Sequence, residues 1–248
     1  LKELDEVHRF IYSGLDDEVL WSSSMPCVLL NNTDIPLAYY GDSHVGRRKT
    51  IYRAGLGNRY GRSMQTICAV HYNFSFPQHF WAWLKAHEKS DENDQEFQNR
   101  RYFDLMRNFR RFGWLLTYLF GASPAVCKSF VRNREHNLDS FDESTAYLPN
   151  ATSLRSGSLG YQSDAQSHQI NICYNSLYDY VKSLAEAIVK PYPPYELISK
   201  NSPEAYPQLS SNILQSEAEF YSSIRAKRVP AKGQNFLHSL RDEAFAQS

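Results

Sequence analysis

The stretch TICAVHYNFSFP, Thr66 to Pro77, alternates polar and aromatic residues with period two and decides the fold expected for this chain. In a strand such alternation puts His71, Asn73 and Ser75 on one face and Tyr72, Phe74 and Phe76 on the other. One face is then aromatic, and the other can coordinate or hydrogen-bond. A lone strand histidine is commonly a satisfied structural residue; with Asn and Ser in line behind it, a ligand role for His71 stands beside that plainer reading.

Outward from this strand the pattern becomes helical. From Phe97 to Phe120, Tyr102, Leu105, Met106, Phe109, Phe112 and Leu116 recur at steps of three and four, and Gly121 and Pro124 end the pattern. A long amphipathic helix is expected there, with Phe112 to Phe120 as its buried end. Leu177, Tyr180, Val181, Leu184 and Ile188 mark a further helix, capped by Asn175 or Ser176 and stopped by Pro191, Pro193 and Pro194. Leu1, Leu4, Val7, Phe10 and Ile11 fall at helical spacing from the first residue, so the chain is expected to begin inside a helix whose natural start lies upstream. Trp21 to Asn32 is expected to form a loop feeding a short strand, Gly41 to Lys49 is glycine-bearing and basic, and Thr50 to Gly61 is mixed. The polar segment Glu88 to Gln98 suits a solvated loop or a helix start, and Arg132 to Ser144 and Ser153 to Gln169 suit surface loops. Strands and long helices without regular alternation favour an α+β arrangement.

The totals bound the function. In 248 residues, 42% apolar and 22% charged side chains match a globular protein able to bury a substantial core in one domain. Lys+Arg and Asp+Glu balance at 27 each, so no global field favours nucleic acid or an anionic membrane. No apolar run approaches the roughly 20 residues of a membrane span. Cys27, Cys68, Cys127 and Cys173 are scattered without a C-x-x-C pair, which suits a reduced, cytoplasmic protein. The 17 tyrosines suit either amphipathic rings around a polar ligand or a Tyr-rich core.

Arg47, Arg48, Arg53, Arg59 and Arg62 lie near the strand candidate, with Arg155 and the run Arg225 to Arg228 further on. Guanidinium groups match carboxylate and phosphate oxygens bidentately, so those that converge on one cleft suit an anionic substrate and ATP; most belong on a solvated surface. The chain lacks the P-loop, the dinucleotide-binding fingerprint and the G-x-S-x-G elbow. His136, His168 and His238 have no metal-ligand spacing with cysteine.

Several long words, SMPC (Ser24 to Cys27), YRAGLGNRYG (Tyr52 to Gly61), MQTICAVHYNFSFP (Met64 to Pro77), NFRRFGWLLTYLFGASPAVC (Asn108 to Cys127), ATSLRSGSLGY (Ala151 to Tyr161) and NILQSEAEFYSSIRAKR (Asn212 to Arg228), occur in one order. Together they resemble the proteobacterial glutamate-cysteine ligase family from about Trp21 to Val229. The resemblance implies a glutamine-synthetase-like curved antiparallel sheet with packed helices, incomplete through truncation, in which residues 1 to 248 form part of a single catalytic domain and 230 to 248 are a tail of uncertain origin. It implies His71 as a magnesium ligand, with manganese as an alternative ion. Tyr52, Leu56, Gln65, Arg155, Tyr161 and Tyr221 match positions around the cysteine substrate, and Arg53 and Arg155 match arginines near the reacting carboxylate and transferred phosphate.

The activity so implied is ATP-dependent joining of glutamate to cysteine through a γ-glutamyl phosphate, the first step of glutathione biosynthesis, with glutamate, cysteine and ATP as partners. The family's acidic metal ligands, an E-x-E strand near its N-terminus and an E-x-R strand beyond this chain's end, are not in this sequence, and Glu217 and Glu219 are expected to be structural or accessory. Two readings follow: a piece of an active ligase, or a truncated, inactive remnant acting at most as a binding protein.

Overall fold

A computed structural model describes residues 2–20, 24–29, 31–68, 71–121, 123–132, 134–154, 169–220, 222 and 224–227. Helix α1 spans Lys2–Tyr12 and buries none of its residues. Helices α2 (His44–Tyr60), α3 (Gln78–Glu88), α4 (Asp94–Phe112) and α5 (Trp114–Phe120) follow. After them come β1 (Ala125–Cys127), the single turn α6 (Lys128–Val131), β2 (Asp139–Ser140) and β3 (Thr145–Tyr147). Helices α7 (Leu177–Val189) and α8 (Pro193–Asn201) lead to an irregular segment that ends in a 3-10 turn, Glu217–Glu219.

Helix α4 forms where its periodicity predicts, and its ends show why. The Asn93 side chain accepts from the Glu96 backbone N–H, while Asp94 and Glu96 in the first turn and Arg110 and Arg111 in the last oppose the helix dipole. Its apolar stripe places Phe103 and Met106 against Tyr180, Val181 and Leu184 of α7, with Ile213 and Leu214 closing the same core. Ser176 caps α7 by accepting from the Asp179 N–H, and the helix gives way to Lys190 before Pro191. Each large apolar side chain withdrawn from water here contributes about 1.5–3 kcal/mol. Between α3 and α4, Glu92 takes a forked hydrogen bond from Arg100, which holds its carboxyl at about 2, below the usual range.

A second core lies under the sheet. Strand β3 sits centrally in the order β1-β3-β2, antiparallel to both neighbours, with Val126 opposite Ala146 and Asp139 opposite Tyr147. Val126, Ala146, Phe130 and Val131 pack there with Met64 and Leu154. The architecture is therefore α+β, with helices predominating among the described residues.

Three expectations are corrected. The described residues of 66–76 form no strand: Arg62–Thr66 is a 3-10 turn, and the described residues from 67 to 77 belong to no helix or ladder. The Phe76 N–H bonds to the Tyr102 hydroxyl, and the Cys68 N–H bonds to the Ser24 carbonyl. Period-two patterning assigns faces but supplies no partner, and a strand exists only where a neighbour satisfies its backbone groups. The long helix is two helices, α4 and α5, meeting at Gly113, and the expected buried end is exposed: Trp114 retains 64% and Phe120 75% of its surface. Residues 24–29 form no strand.

The mixed and basic segments from Gly41 to Gly61 instead supply one helix, α2, over His44–Tyr60. Its glycines lower helix propensity and hid it, yet they serve close approach. A Cβ at Gly46 would overlap the carbonyl oxygens of Tyr40 and Gly41, because the incoming chain turns back over the first turn of α2. Propensity alone predicts that Gly46→Ala stabilises the protein by about 1 kcal/mol. We expect the opposite sign, a loss of about 1–3 kcal/mol from forced backbone displacement, measured as a lower urea midpoint at unchanged m-value.

Candidate functional site

The site is built on one face of α2. Tyr52, Leu56, Arg59 and Tyr60 occur at steps of four, three and one, so they share a helical face, and Gly55 lies between them. Against that face runs the segment from Gln208 to Glu219. Gly55 lets it approach closely, since a Cβ there would overlap the Gln215 side chain. The Leu209 N–H donates to Gln215 Oε1, while among the described residues the buried Gln215 Nε2 has no hydrogen-bond partner.

Arg59 and Glu219 join the two elements. Their side chains are fully buried, and Arg59 Nη1 lies 3.0 Å from Glu219 Oε1. The guanidinium also donates to Gln208 Oε1 at 2.9 Å and to the carbonyls of Ser210 and Ile213, and it covers the Tyr195 ring at 4.1 Å. The Glu219 carboxylate accepts from the Tyr60 hydroxyl at 2.6 Å and from the Gln215 N–H at 2.5 Å. A buried charge pair is tolerated when its remaining donors and acceptors are satisfied in this way, and removing one partner of such a pair costs about 3–5 kcal/mol.

At the other end of the same face stands the half-buried Tyr52, close enough to Arg53 and Arg225 to feel their charges. Burial first, and then repulsion from Glu219, pushes the Tyr52 hydroxyl well above its ordinary value of 10.0. Tyr60 is pushed the same way, by burial and again by Glu219. Both therefore stay protonated at neutral pH and serve as hydrogen-bond donors.

Of the residues singled out in the sequence, Tyr52, Arg53, Leu56 and Gln65 come together. Gln65 Nε2 donates to the Arg53 carbonyl at 3.0 Å, and Leu56 is buried on α2. Arg155, Tyr161 and Tyr221 lie outside the described residues. His71, Asn73 and Ser75 are all exposed outside any helix or strand, and Asn73 Oδ1 accepts from Lys227 Nζ at 3.3 Å. Among the described residues no group of three or more His, Cys, Asp or Glu side chains is arranged to hold a metal ion, and His71 belongs to none. The magnesium site implied for His71 is therefore not assembled by these residues, because that ion needs several oxygen ligands in near-octahedral array. Glu219 is committed to Arg59, Tyr60 and Gln215, in keeping with a structural role.

What sequence reading missed is the Arg59–Glu219 pair in its structural role. The spacing of Tyr52, Leu56, Arg59 and Tyr60 carried the signal, masked by the intervening glycines.

A family model of glutamate-cysteine ligase matches residues 1–245. The chain belongs to the glutamate-cysteine ligase family. The glutamate–cysteine ligase of Pseudomonas putida strain KT2440 is 52% identical over 240 residues, covering 97% of this chain and 46% of that protein. That of Saccharophagus degradans is 51% identical over 243 residues, with the same coverage. The chain thus spans about half the length of the curated relatives it matches. The crystal structure of the Francisella tularensis glutamate–cysteine ligase in complex with AMP superposes with a TM-score of 0.81 at 37% identity, over 92% of this chain and 44% of that one. A bifunctional glutathione synthetase from Pasteurella multocida is more distant, at a TM-score of 0.57 and 26% identity over 90% of this chain and 24% of that one. Among the described residues no helix is long and apolar enough to cross a membrane.

The buried hydroxyls set an alkaline limit. An unfolded tyrosine ionises near 10.0, whereas Tyr52 and Tyr60 keep their protons well above it. Their contribution to stability is complete below that pH and is lost as pH climbs towards the raised folded values, because the unfolded chain sheds protons that the folded chain retains. Urea midpoints measured on both sides of pH 10 should fall on the alkaline side, and Tyr60→Phe should flatten that fall.

Proposed function

We propose that the chain carries the cysteine-side wall of an ATP-dependent ligase that joins the γ-carboxylate of L-glutamate to the amine of L-cysteine. The observation that carries this reading is the identity of about half the residues over 97% of the chain with proteins named glutamate–cysteine ligase. The AMP held by the Francisella tularensis neighbour supports adenine nucleotide as co-substrate.

A carboxylate is a poor acyl donor at neutral pH. In the proposed reaction ATP transfers its γ-phosphoryl group to the glutamate γ-carboxylate and leaves as ADP. The cysteine amine then attacks the acyl phosphate, an amide bond forms, inorganic phosphate leaves and the amine loses a proton. Arg53 supplies a permanent positive charge for the phosphorylated carboxyl, where charge complementarity fixed in advance is worth most. Tyr52, held neutral by burial, donates to the cysteine carboxylate, and Leu56 and Gln65 shape the wall behind it. Arg155, Tyr161 and Tyr221 complete the pocket in this reading. Such a pocket keeps water from the acyl phosphate, which would otherwise hydrolyse. Magnesium belongs to the proposal as the ion that accompanies ATP; the described residues offer it no assembled ligand set, and the roles assigned to this chain are those of its own side chains. A reduced, cytoplasmic setting fits a thiol substrate and four free cysteines.

The test is a coupled assay of ADP release with glutamate, cysteine, ATP and magnesium. Turnover should require both amino acids, and Arg53→Ala should lower kcat by roughly 100-fold or more. ADP release indifferent to cysteine, or an Arg53→Ala variant with unchanged kcat, would overturn the reading.

A further inference from the structure

We propose that the exposed apolar surface of α5, together with the stripe of α1, is the docking face for the remaining half of a glutamate–cysteine ligase polypeptide, the part of the relatives that this chain does not span. The inference rests on family membership and on the surface itself, and not on the chemistry proposed above.

Helix α5 reads WLLTYLF, apolar or aromatic at every position but Thr117. With 3.6 residues per turn, these side chains surround the helix rather than line one face of it. A helix hydrophobic all round is ordinarily buried, yet α5 has no buried residue. The Thr117 carbonyl accepts from Thr152 Oγ1 at 2.8 Å, which ties the helix to the body at its one small polar position. Phe112, Trp114, Tyr118 and Phe120 each keep more than half of their surface in water. At about 150–250 Å² per ring, these four alone expose on the order of 500 Å², and Leu115, Leu116 and Leu119 add to it. The largest apolar patch of an ordinary monomer is about 300–600 Å².

Helix α1 repeats the pattern. Leu4, Val7 and Ile11 fall at steps of three and four with Phe10 beside them, and every residue of Lys2–Tyr12 is exposed. Its 11 residues fall short of the roughly 12–15 at which an isolated helix is even marginally stable in water. A helix so short is held by covering its stripe.

The size of the relatives says what covers it. The match accounts for 46% of the Pseudomonas putida ligase, so more than half of that polypeptide lies outside it. The Francisella tularensis ligase carries the same fold within a chain of which the match is 44%. In each, a polypeptide at least as large as this chain accompanies the fold, and a helix rich in Trp, Tyr and Phe has the composition of the centre of a protein interface. A membrane is the poorer occupant. Helices that lie on membranes are rich in Lys and Arg on their polar face, whereas α1 carries Glu3, Asp5 and Glu6 against Lys2 and Arg9, with Arg9 paired to Asp5 at 2.8 Å.

The test co-expresses this chain with the polypeptide of the Pseudomonas putida ligase outside the 240 matched residues, and follows their association by co-purification and titration. We expect a one-to-one complex whose affinity falls by roughly 10- to 100-fold when Trp114→Lys and Leu119→Lys are combined. Leu197→Lys, at an exposed position on α8, should leave the affinity unchanged. The Tm of the chain alone should hardly move in any of these variants, because the replaced side chains are already in water. Should the separate polypeptide fail to fold, a chimera in which this chain replaces the matched stretch of the Pseudomonas putida ligase supplies a second measurement. There the α5 double variant should lower Tm by several degrees and Leu197→Lys should not. A complex indifferent to the α5 double variant, or a chimera whose Tm ignores it, would overturn the proposal. So would a dimer of this chain alone that the α5 double variant dissociates, since a second copy would then be the occupant. Association and Tm are read without turnover, so failure of the ligase chemistry would show separately, as absent cysteine-dependent ADP release.

Discussion

Arg59 and Glu219 face each other 3.0 Å apart with neither side chain reaching water, and the surrounding structure is arranged to make that tolerable. Removing two full charges from solvent costs several kcal/mol per ion, and their mutual attraction recovers it only when the other hydrogen-bonding positions are filled. Here Gln208, Ser210 and Ile213 fill those of the guanidinium, while Tyr60 and the Gln215 N–H fill those of the carboxylate. The result fixes α2, the first turn of α8 and the segment 208–219 in a single arrangement. Gln208 takes part in both directions, since its Nε2 donates to the Tyr195 carbonyl on α8. Alternatives in which the segment slides by a residue would leave a buried charge unpaired, and that penalty selects one geometry.

In the proposed reading the substrate wall is laid on this frame at the Tyr52 end of α2. Tyr52 is half-buried and feels the Glu219 charge, and the carbonyl of the adjacent Arg53 accepts from Gln65. In that reading a neutral donor and a permanent cation serve two anionic groups, a carboxylate and a phosphorylated carboxyl. Glycines make this possible. Gly55 admits the Gln215 side chain where any Cβ would exclude it, and Gly46 admits the returning chain. Each sacrifices helix propensity for proximity.

The two cores show how differently the parts of the fold were legible. Helix α7 and its Ser176 cap were evident because periodicity, capping residue and burial all agree there, and local and tertiary preferences coincide. In α4 the helical period was legible but the buried face was not, since Phe103 lies outside the expected stripe while Leu105 and Phe112 within it stay exposed. The three-residue strands β1 and β3 were not, because Ala125–Cys127 and Thr145–Tyr147 are too short to show a period. In the opposite sense, residues 66–77 displayed a strand pattern without a described partner strand, and α5 displayed an apolar run that the described fold leaves exposed. Pattern states what a segment can bury; only a neighbour decides whether it does.

By itself the sequence determined the helical periods, the caps, the charge balance and the words that resemble one enzyme family, since these depend on residues within a few positions of each other. The tertiary structure alone decided that Arg59 meets Glu219 across 160 residues and that His71 stands exposed outside any helix or strand. The physical reason is that a charge or hydroxyl has no preferred partner along the chain. Its partner is chosen by the cost of leaving it unpaired once the core has removed water, and that cost exists only after folding.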